Sequence, residues 1–169
     1  NPLYKAVMKR ESESETVAEK VELLLNAGAD PNVSPSYDDD NVLHQAAKND
    51  YAEAFKLLLF AGAKAYVKNR WGNTPLDETR DERIRSLYNP TVEVRTKLSS
   101  DDGFFSRIWL CGDTRDKARD EAIKKLETRH DGKLSYKVKD FSVIKEDKYD
   151  RGDRVYCEVS AKVRFKLED

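Results

Sequence analysis

The chain has 169 residues, of which 38% are hydrophobic and 37% are charged. This balance is typical of a thin or layered core and does not favour one thick globular core. Lys and Arg total 31 against 32 for Asp and Glu, and the formal net charge of -1 excludes a global electrostatic field that would attract nucleic acid or an anionic membrane.

Two short segments recur in the first half of the chain. The sequence NPLYKAV at 1–7 returns at 41–47 as NVLHQAA and, in degraded form, at 73–77 as NTPLD. Between these copies, VELLLNAGAD at 21–30 matches FKLLLFAGAK at 55–64. Self-similarity with a spacing near about 33 residues is typical of a helical solenoid.

Local signals mark where the repeated helices begin and end. Thr74 followed by Pro75 predicts a helix start with proline at the first position. Gly28 and Gly62 lie where each helix must end in a left-handed residue, a conformation open to glycine because it has no Cβ. Two further pairs have capping-box spacing, namely Thr16 with Glu19 and Asp50 with Glu53.

These segments resemble ankyrin repeats. Residues 43–47 are similar to the T-P-L-H-x-A-A helix start of that family, 57–63 to its second-helix ending, and 70–77 to its turn into the next repeat. The sequence departs from the pattern at 8–16, at 34–40 and after Asp77. The resemblance implies a short repeat stack over 1–88 that binds another protein through its fingers and concave face. It also implies a structural hydrogen bond for His44.

From Thr91 onward, apolar residues alternate and predict strands. Ile108–Cys111 is interpreted as a second strand, and 114–129 as an amphipathic helix capped by Asp113 or Thr114. The predicted fold class is therefore α+β, with an ankyrin-type repeat domain at 1–89 and a small antiparallel sheet packed on one helix at 90–169, in the order β-β-α-β-β. The polar side of the last strand predicts a sheet covered on one face. We identify no family resemblance for this second domain.

The two cysteines, Cys111 and Cys157, fall on apolar faces of this second domain. As a disulfide they would add stability where the core is thin, and they would imply an oxidising compartment. As free thiols they would be ordinary buried residues. We favour the bridge and a periplasmic or secreted location, with the cytoplasm as the alternative. One cysteine pair without His neighbours does not fill a tetrahedral metal site.

The sequence offers few residues in the patterns that catalysis needs. His44 and His130 are the two histidines, and neither has a serine or cysteine partner at a recognisable spacing. We predict no catalytic residue, no cofactor and no metal site. An enzyme remains an alternative, with Glu158 or Asp113 as a general base near His130.

Exposed aromatic and charged residues in the predicted fingers are the candidates for partner binding. Tyr37 and Trp71 can act as interface anchors, although Trp71 can instead pack under its hairpin. The three consecutive aspartates at 38–40 can contact a basic partner or bind a cation, or they can form a solvated turn in which Asp40 or Asn41 caps the next helix. The predicted partner-binding residues are Tyr37, Asp38, Asp39, Asp40, Tyr66, Arg70 and Trp71.

The predicted function is a non-enzymatic protein-binding module whose partner is another protein and not nucleic acid. Small size, a two-part build and the expected disulfide suggest a bacterial inhibitor or immunity protein that blocks a toxin or lipase. A self-associating scaffold, in which the last strand pairs edge to edge with its copy, is the other alternative, and the oligomeric state is left open. The sequence contains no run of about 18 apolar residues, the length that would predict a membrane-spanning helix. Because the chain begins inside a repeat at Asn1, we expect that an upstream segment such as a signal peptide or a tag has been removed.

Overall fold

A computed structural model describes residues 1–8, 14–100, 104–151 and 154–168. It divides the chain into two compact units, Asn1–Tyr88 and Asn89–Glu168. The first unit is helical and the second combines one helix with a sheet, so the predicted α+β class is confirmed. In the part of the chain described, no helix is long and apolar enough to cross a membrane.

The described residues of the first unit form five α-helices and one 3-10 turn. The elements are α1 (Pro2–Met8), α2 (Ser14–Asn26), α3 (Val42–Lys48), α4 (Ala52–Phe60), the 3-10 turn Pro75–Glu78 and α5 (Glu82–Tyr88). Their apolar faces form a buried core that includes Leu3, Val21, Leu43, Phe55, Leu58, Ile84 and Tyr88. The Tyr88 hydroxyl donates a hydrogen bond of 2.8 Å to the Ala65 carbonyl, which joins α5 to the loop after α4.

Several predicted helix ends in this unit are confirmed. Gly28 and Gly62 have φ values of 83° and 86°, in the left-handed region. Thr74 caps the 3-10 turn, and the Asp77 carboxylate accepts hydrogen bonds from the Thr74 amide at 2.8 Å and its hydroxyl at 2.7 Å. Asn41 caps α3 in a capping box with His44.

Two predicted capping boxes are wrong. Thr16 lies inside α2, because that helix begins at Ser14. Asp50 does not cap α4, which starts after Tyr51 without a side-chain cap. Asp50 itself has a φ of 54°, and its carboxylate accepts a 2.8 Å hydrogen bond from the Thr79 hydroxyl. That carboxylate therefore joins two repeats.

The second unit is a split βαβ motif with a third strand inserted. Its elements are β1 (Thr91–Ser100), α6 (Phe104–Arg129), β2 (Tyr136–Arg151) and β3 (Arg154–Leu167). The sheet order is β1-β3-β2, and β3 is antiparallel to both neighbours. The two outer strands therefore run parallel and are connected through α6. The last strand is central, so the predicted edge-to-edge pairing of that strand with its copy is wrong: both of its edges are already hydrogen-bonded within the chain.

The predicted strand at Ile108–Cys111, and with it the order β-β-α-β-β, is wrong. These residues belong to α6, where buried Leu110, Thr114, Ala118, Ala122 and Leu126 recur every four residues on one face. The Thr114 hydroxyl donates to the Leu110 carbonyl at 2.6 Å, a contact made one turn back inside a helix. Neither Asp113 nor Thr114 is therefore a cap.

One face of the sheet packs on α6. Val92, Val94, Val155, Val159, Val163 and Phe165 are buried with Leu110, Ala118, Ala122 and Leu126 of the helix. The alternate residues of β3 are exposed or half-buried, so the predicted one-sided coverage of the sheet is confirmed. Ion pairs occupy the uncovered face, including Arg164 with Asp140 at 2.6 Å.

Candidate functional site

Two loops of the first unit are hydrogen-bonded to each other. The Arg70 amide donates to the Asp38 carbonyl at 3.0 Å. In the second loop the Asn69 side-chain oxygen accepts from the amides of Trp71 and Asn73 at 3.1 and 3.0 Å, and Gly72 adopts a φ of 82° that closes the turn. The loops therefore present their tip residues side by side.

Tyr37, Asp38, Arg70 and Trp71 form what we call the fingertip group. The Arg70 guanidinium lies 4.5 Å from the Tyr37 ring centre and 5.9 Å from the Trp71 ring centre. An Asp38 carboxylate oxygen is 3.6 Å from the same guanidinium. Cation-π contacts of this kind hold the aromatic rings in place while leaving them accessible. Tyr37 is 87% exposed and Trp71 is 58% exposed.

The carboxylate of Asp40 is hydrogen-bonded to the loop that carries Arg70 and Trp71. The Asp40 side chain is buried and accepts hydrogen bonds from Lys48 at 2.5 Å, Gln45 at 2.8 Å and Asn69 at 2.9 Å. Asn69 sets the turn that carries Arg70 and Trp71, and the Lys48 ammonium lies 5.5 Å from the Trp71 ring centre. One buried carboxylate thus connects α3 to the loop that carries the exposed tryptophan.

The charges of Asp40 and Lys48 shift each other's pKa. Burial on its own raises the pKa of Asp40, but hydrogen bonds from Lys48 and Asn69 and the Lys48 charge outweigh it, so that pKa lies below its usual 3.8. Burial on its own lowers the pKa of Lys48, but the hydrogen bond and charge of Asp40 raise it above its usual 10.5. Both groups are therefore charged at neutral pH.

The predicted partner-binding residues divide into three sets. Tyr37, Asp38, Arg70 and Trp71 come together in the fingertip group. Asp39 lies beside them, exposed and with a φ of 58°. Asp40 and Tyr66 have other surroundings: Asp40 is 1% exposed, and the half-buried Tyr66 ring packs edge-on against Tyr88 at 5.4 Å. Neither fits the role of an exposed anchor, because its side chain serves the fold.

Sequence reasoning missed Lys48. This residue contacts Asp40 and Trp71 from the last turn of α3, across separations that have no sequence signature.

His44 is a structural residue in this unit. It is fully buried, and its Nε2 lies 3.0 Å from the Asn73 carbonyl oxygen of the next repeat. Its Nδ1 lies 3.2 Å from the Asn41 amide nitrogen and 2.7 Å from the Asn41 side-chain oxygen, so the ring contacts both the cap of its own helix and the next repeat. This arrangement agrees with the role implied by the ankyrin resemblance.

The acid-base groups of the enzyme alternative are not brought together. Glu158 forms an ion pair with Arg95 on the uncovered face of the sheet. His130 follows α6, is buried, and packs on Tyr136, the register partner of Leu167 at the far end of β3. Glu158 and Leu167 are separated by roughly 30 Å along the strand. Asp113 is exposed on α6.

A cleft of about 300 Å³ lies beside the end of α6. Its lining includes the apolar Ile123, Leu126, Leu134 and Phe165 and the polar Glu127 and Ser135. The Ser135 hydroxyl donates to Glu168 at 2.7 Å. The residues of the enzyme alternative, Glu158, Asp113 and His130, do not line this cleft.

The structure joins Cys111 of α6 to Cys157 of β3 in a disulfide with a Cα separation of 5.4 Å. Cys157 is fully buried and Cys111 is partly buried against the same core. The bridge fastens the helix to the central strand of the sheet.

Comparison with known proteins identifies the repeats. A family model for ankyrin repeats (many copies) matches residues 24–78. The potassium channel GORK of Arabidopsis thaliana is 47% identical over 77 residues, which cover 46% of this chain and 9% of the channel. The potassium channel SKOR of the same plant is 47% identical over 55 residues, 32% of this chain and 6% of the channel. A putative ankyrin repeat protein of fowlpox virus, FPV031, is 37% identical over 78 residues, 46% of this chain and 21% of that protein.

This chain therefore spans only a small part of the length of each of these relatives. They come from a plant and a virus, and they give the expected bacterial source no support.

Proposed function

Residues 24–78 carry ankyrin repeats, and from that premise we propose that the chain is a non-enzymatic module that binds a partner protein through its fingertip group. The observation that carries the proposal is the exposure of Tyr37 and Trp71, whose rings both lie within 6 Å of the Arg70 guanidinium. Tyr, Trp and Arg are the residue types that dominate binding energy in protein interfaces. Rings already held in place lose little conformational entropy on binding.

The fingertip group also suggests what the partner surface offers. The two aromatic rings need an apolar surface to cover them, and the Arg70 guanidinium needs carbonyl or carboxylate acceptors for its N–H groups. Asp38 satisfies part of that demand at 3.6 Å. A partner carboxylate that approaches Arg70 would compete with Asp38, so binding should weaken as the salt concentration rises.

A narrower version of this proposal is an inhibitor or immunity protein, which is consistent with the small two-part build, although none of the relatives named above points to a toxin or lipase. The similarity to the potassium channels is confined to at most 77 aligned residues, so we propose that this chain shares ankyrin repeats with them.

We further propose an extracytoplasmic location, periplasmic or secreted, because a disulfide such as Cys111–Cys157 persists in oxidising compartments. The test is rapid alkylation of free thiols in intact cells of the source organism, followed by mass measurement of the chain. A bridge that stays unlabelled supports the proposal, whereas two alkylated cysteines indicate the cytoplasm.

The binding proposal is tested with a matched pair of variants. The first is Tyr37→Ala with Trp71→Ala. The second is Leu23→Ala, which removes an apolar side chain that is 70% exposed on α2 and outside the fingertip group. Partners are captured from source-organism lysate with the intact chain and each variant, quantified by mass spectrometry, and the leading partner is then purified for calorimetry.

We expect the intact chain and Leu23→Ala to bind the purified partner equally, and the double variant to bind at least tenfold more weakly. A photo-crosslinking phenylalanine derivative at position 37 should attach covalently to the same partner. Equal affinity for all three chains would contradict the assignment of the site.

A further inference from the structure

We propose that, once its disulfide is reduced, the second unit binds one Zn²⁺ ion through Cys111, Cys157 and Glu146. The two Sγ atoms and a carboxylate oxygen of Glu146 all lie within 4.8 Å of one another. The three residues come from α6, β3 and β2, so the fold itself brings them together. In the oxidised chain the two sulfurs are bonded to each other and are not available to a metal.

The ligand set suits zinc. Zn²⁺ binds thiolates at about 2.3 Å and carboxylates at about 2.0–2.2 Å, and sites with three protein ligands keep a fourth position for water. Ligand atoms around a tetrahedral zinc are roughly 3–4 Å apart, so the three atoms need only small side-chain rotations after the S–S bond is broken. Glu146 is exposed and Cys111 is partly buried, which gives the ion a path to the site.

The surrounding charges also balance. Two thiolates and one carboxylate carry three negative charges, and Zn²⁺ supplies two positive ones. The Arg115 guanidinium, one turn after Cys111 on α6, lies 2.7 Å from a Glu146 carboxylate oxygen and supplies the third. A neutral cluster lowers the desolvation cost of a site beside the fully buried Cys157. Arg115 is then a positioning residue that holds the carboxylate toward the helix.

The chemistry occurs in two balanced steps. A dithiol reductant transfers two electrons and two protons to the Cys111–Cys157 bond, which becomes two thiols while the reductant becomes a disulfide. Zn²⁺ then replaces the two thiol protons, which are released to solvent. In the oxidised state the bridge holds α6 to β3, and in the metal-bound state the ion would hold α6 to both β3 and β2. The helix therefore stays attached to the sheet in either redox environment.

The test uses the full, tag-free chain in oxidised form and after anaerobic reduction with a water-soluble phosphine, which water converts to its oxide as the two thiols form. Zinc is added, and bound metal is counted by equilibrium dialysis. Co²⁺ serves as a spectroscopic probe, because thiolate coordination produces a charge-transfer band. We expect one zinc per reduced chain, no stoichiometric zinc in the oxidised chain, and the charge-transfer band only after reduction.

Glu146→Gln is compared with Asp147→Asn, the adjacent carboxylate, which pairs with Lys145 at 2.6 Å and is the register partner of Glu158 on the uncovered face. Zinc affinity should fall at least tenfold in Glu146→Gln and stay unchanged in Asp147→Asn. Equal affinity in both variants, or no zinc in the reduced wild-type chain, would overturn the proposal. Circular dichroism covers the case in which the reduced apo chain unfolds: refolding on zinc addition supports the site, and failure to refold overturns it.

Discussion

Lys48 donates a 2.5 Å hydrogen bond to Asp40, and the two side chains differ widely in exposure, at 31% for Lys48 and 2% for Asp40. The buried Asp40 carboxylate also accepts a hydrogen bond from the side chain of Asn69, which shapes the loop that carries Trp71. The more exposed Lys48 ammonium lies over the Trp71 ring. Changes at Asp40 should therefore alter both stability and the fingertip group.

We expect Asp40→Asn to lower the free energy of unfolding at pH 7 by about 1–3 kcal/mol, because a buried partner of Lys48 loses its charge while keeping its shape. Urea denaturation measures the change. The control is Asp39→Asn, at an exposed left-handed position that asparagine tolerates, and it should change the free energy by less than about 0.5 kcal/mol. Equal effects of the two substitutions would show that the Asp40 network contributes little.

The stability difference between the wild-type chain and Asp40→Asn should depend on pH. The folded pKa of Asp40 is lowered, so its contribution is present above the usual 3.8 and is lost as the pH falls through the folded value. The folded pKa of Lys48 is raised, so its contribution is present below the usual 10.5 and is lost as the pH rises through the folded value. Urea titrations should show a plateau between these limits and a decline outside them. A difference that is constant from pH 2 to pH 12 would contradict the ion pair.

His44→Phe should destabilise the chain by about 1–3 kcal/mol, since it keeps the buried ring but removes its hydrogen bonds to Asn41 and Asn73. Thermal and urea unfolding both measure this loss. Asn73→Ala leaves the backbone carbonyl that His44 contacts, so its effect should be less than about 0.5 kcal/mol. A loss under 0.5 kcal/mol for His44→Phe would show that the inter-repeat hydrogen bond is dispensable.

Reduction of the Cys111–Cys157 bridge in the presence of a chelator should lower the free energy of unfolding by about 2–4 kcal/mol, because the closed loop restricts the unfolded chain. The measurement compares urea unfolding of the oxidised and phosphine-reduced chains. A double variant, Cys111→Ser with Cys157→Ser, should not respond to the phosphine. If reduction left the midpoint unchanged, the bridge would have no stabilising role.

The repeats could be predicted from sequence because their signals are local and recur. Gly28 and Gly62 each end a matching apolar run, and each adopts the left-handed φ that this position needs. Thr74 with Pro75 is equally local. The sequence predicted which residues belong to the fingertip group but not their contacts, since the approach of Arg70 to both Tyr37 and Trp71 depends on two loops that are distant in sequence.

The second unit shows where local patterns fail. Ile108–Cys111 is a short apolar run that fits a strand or a buried helix equally well, and only the longer period through Leu126 distinguishes them. Glu146 was missed for a different reason. After Phe141 and Val143, strict alternation places Lys145 on the helix side, but the register shift between Val143 and Lys145 places Glu146 there instead.

The central position of β3 sets the order in which the second unit can be completed. Neither β1 nor β2 has its strand partner until residues 154–167 have been synthesised, because each pairs with β3 and not with the other. The first unit is built from helices that are close in sequence, so its helices can pack soon after each is synthesised. During translation, β1 and α6 therefore emerge before the strand that completes their shared core, and apolar side chains of both stay uncovered until that strand follows.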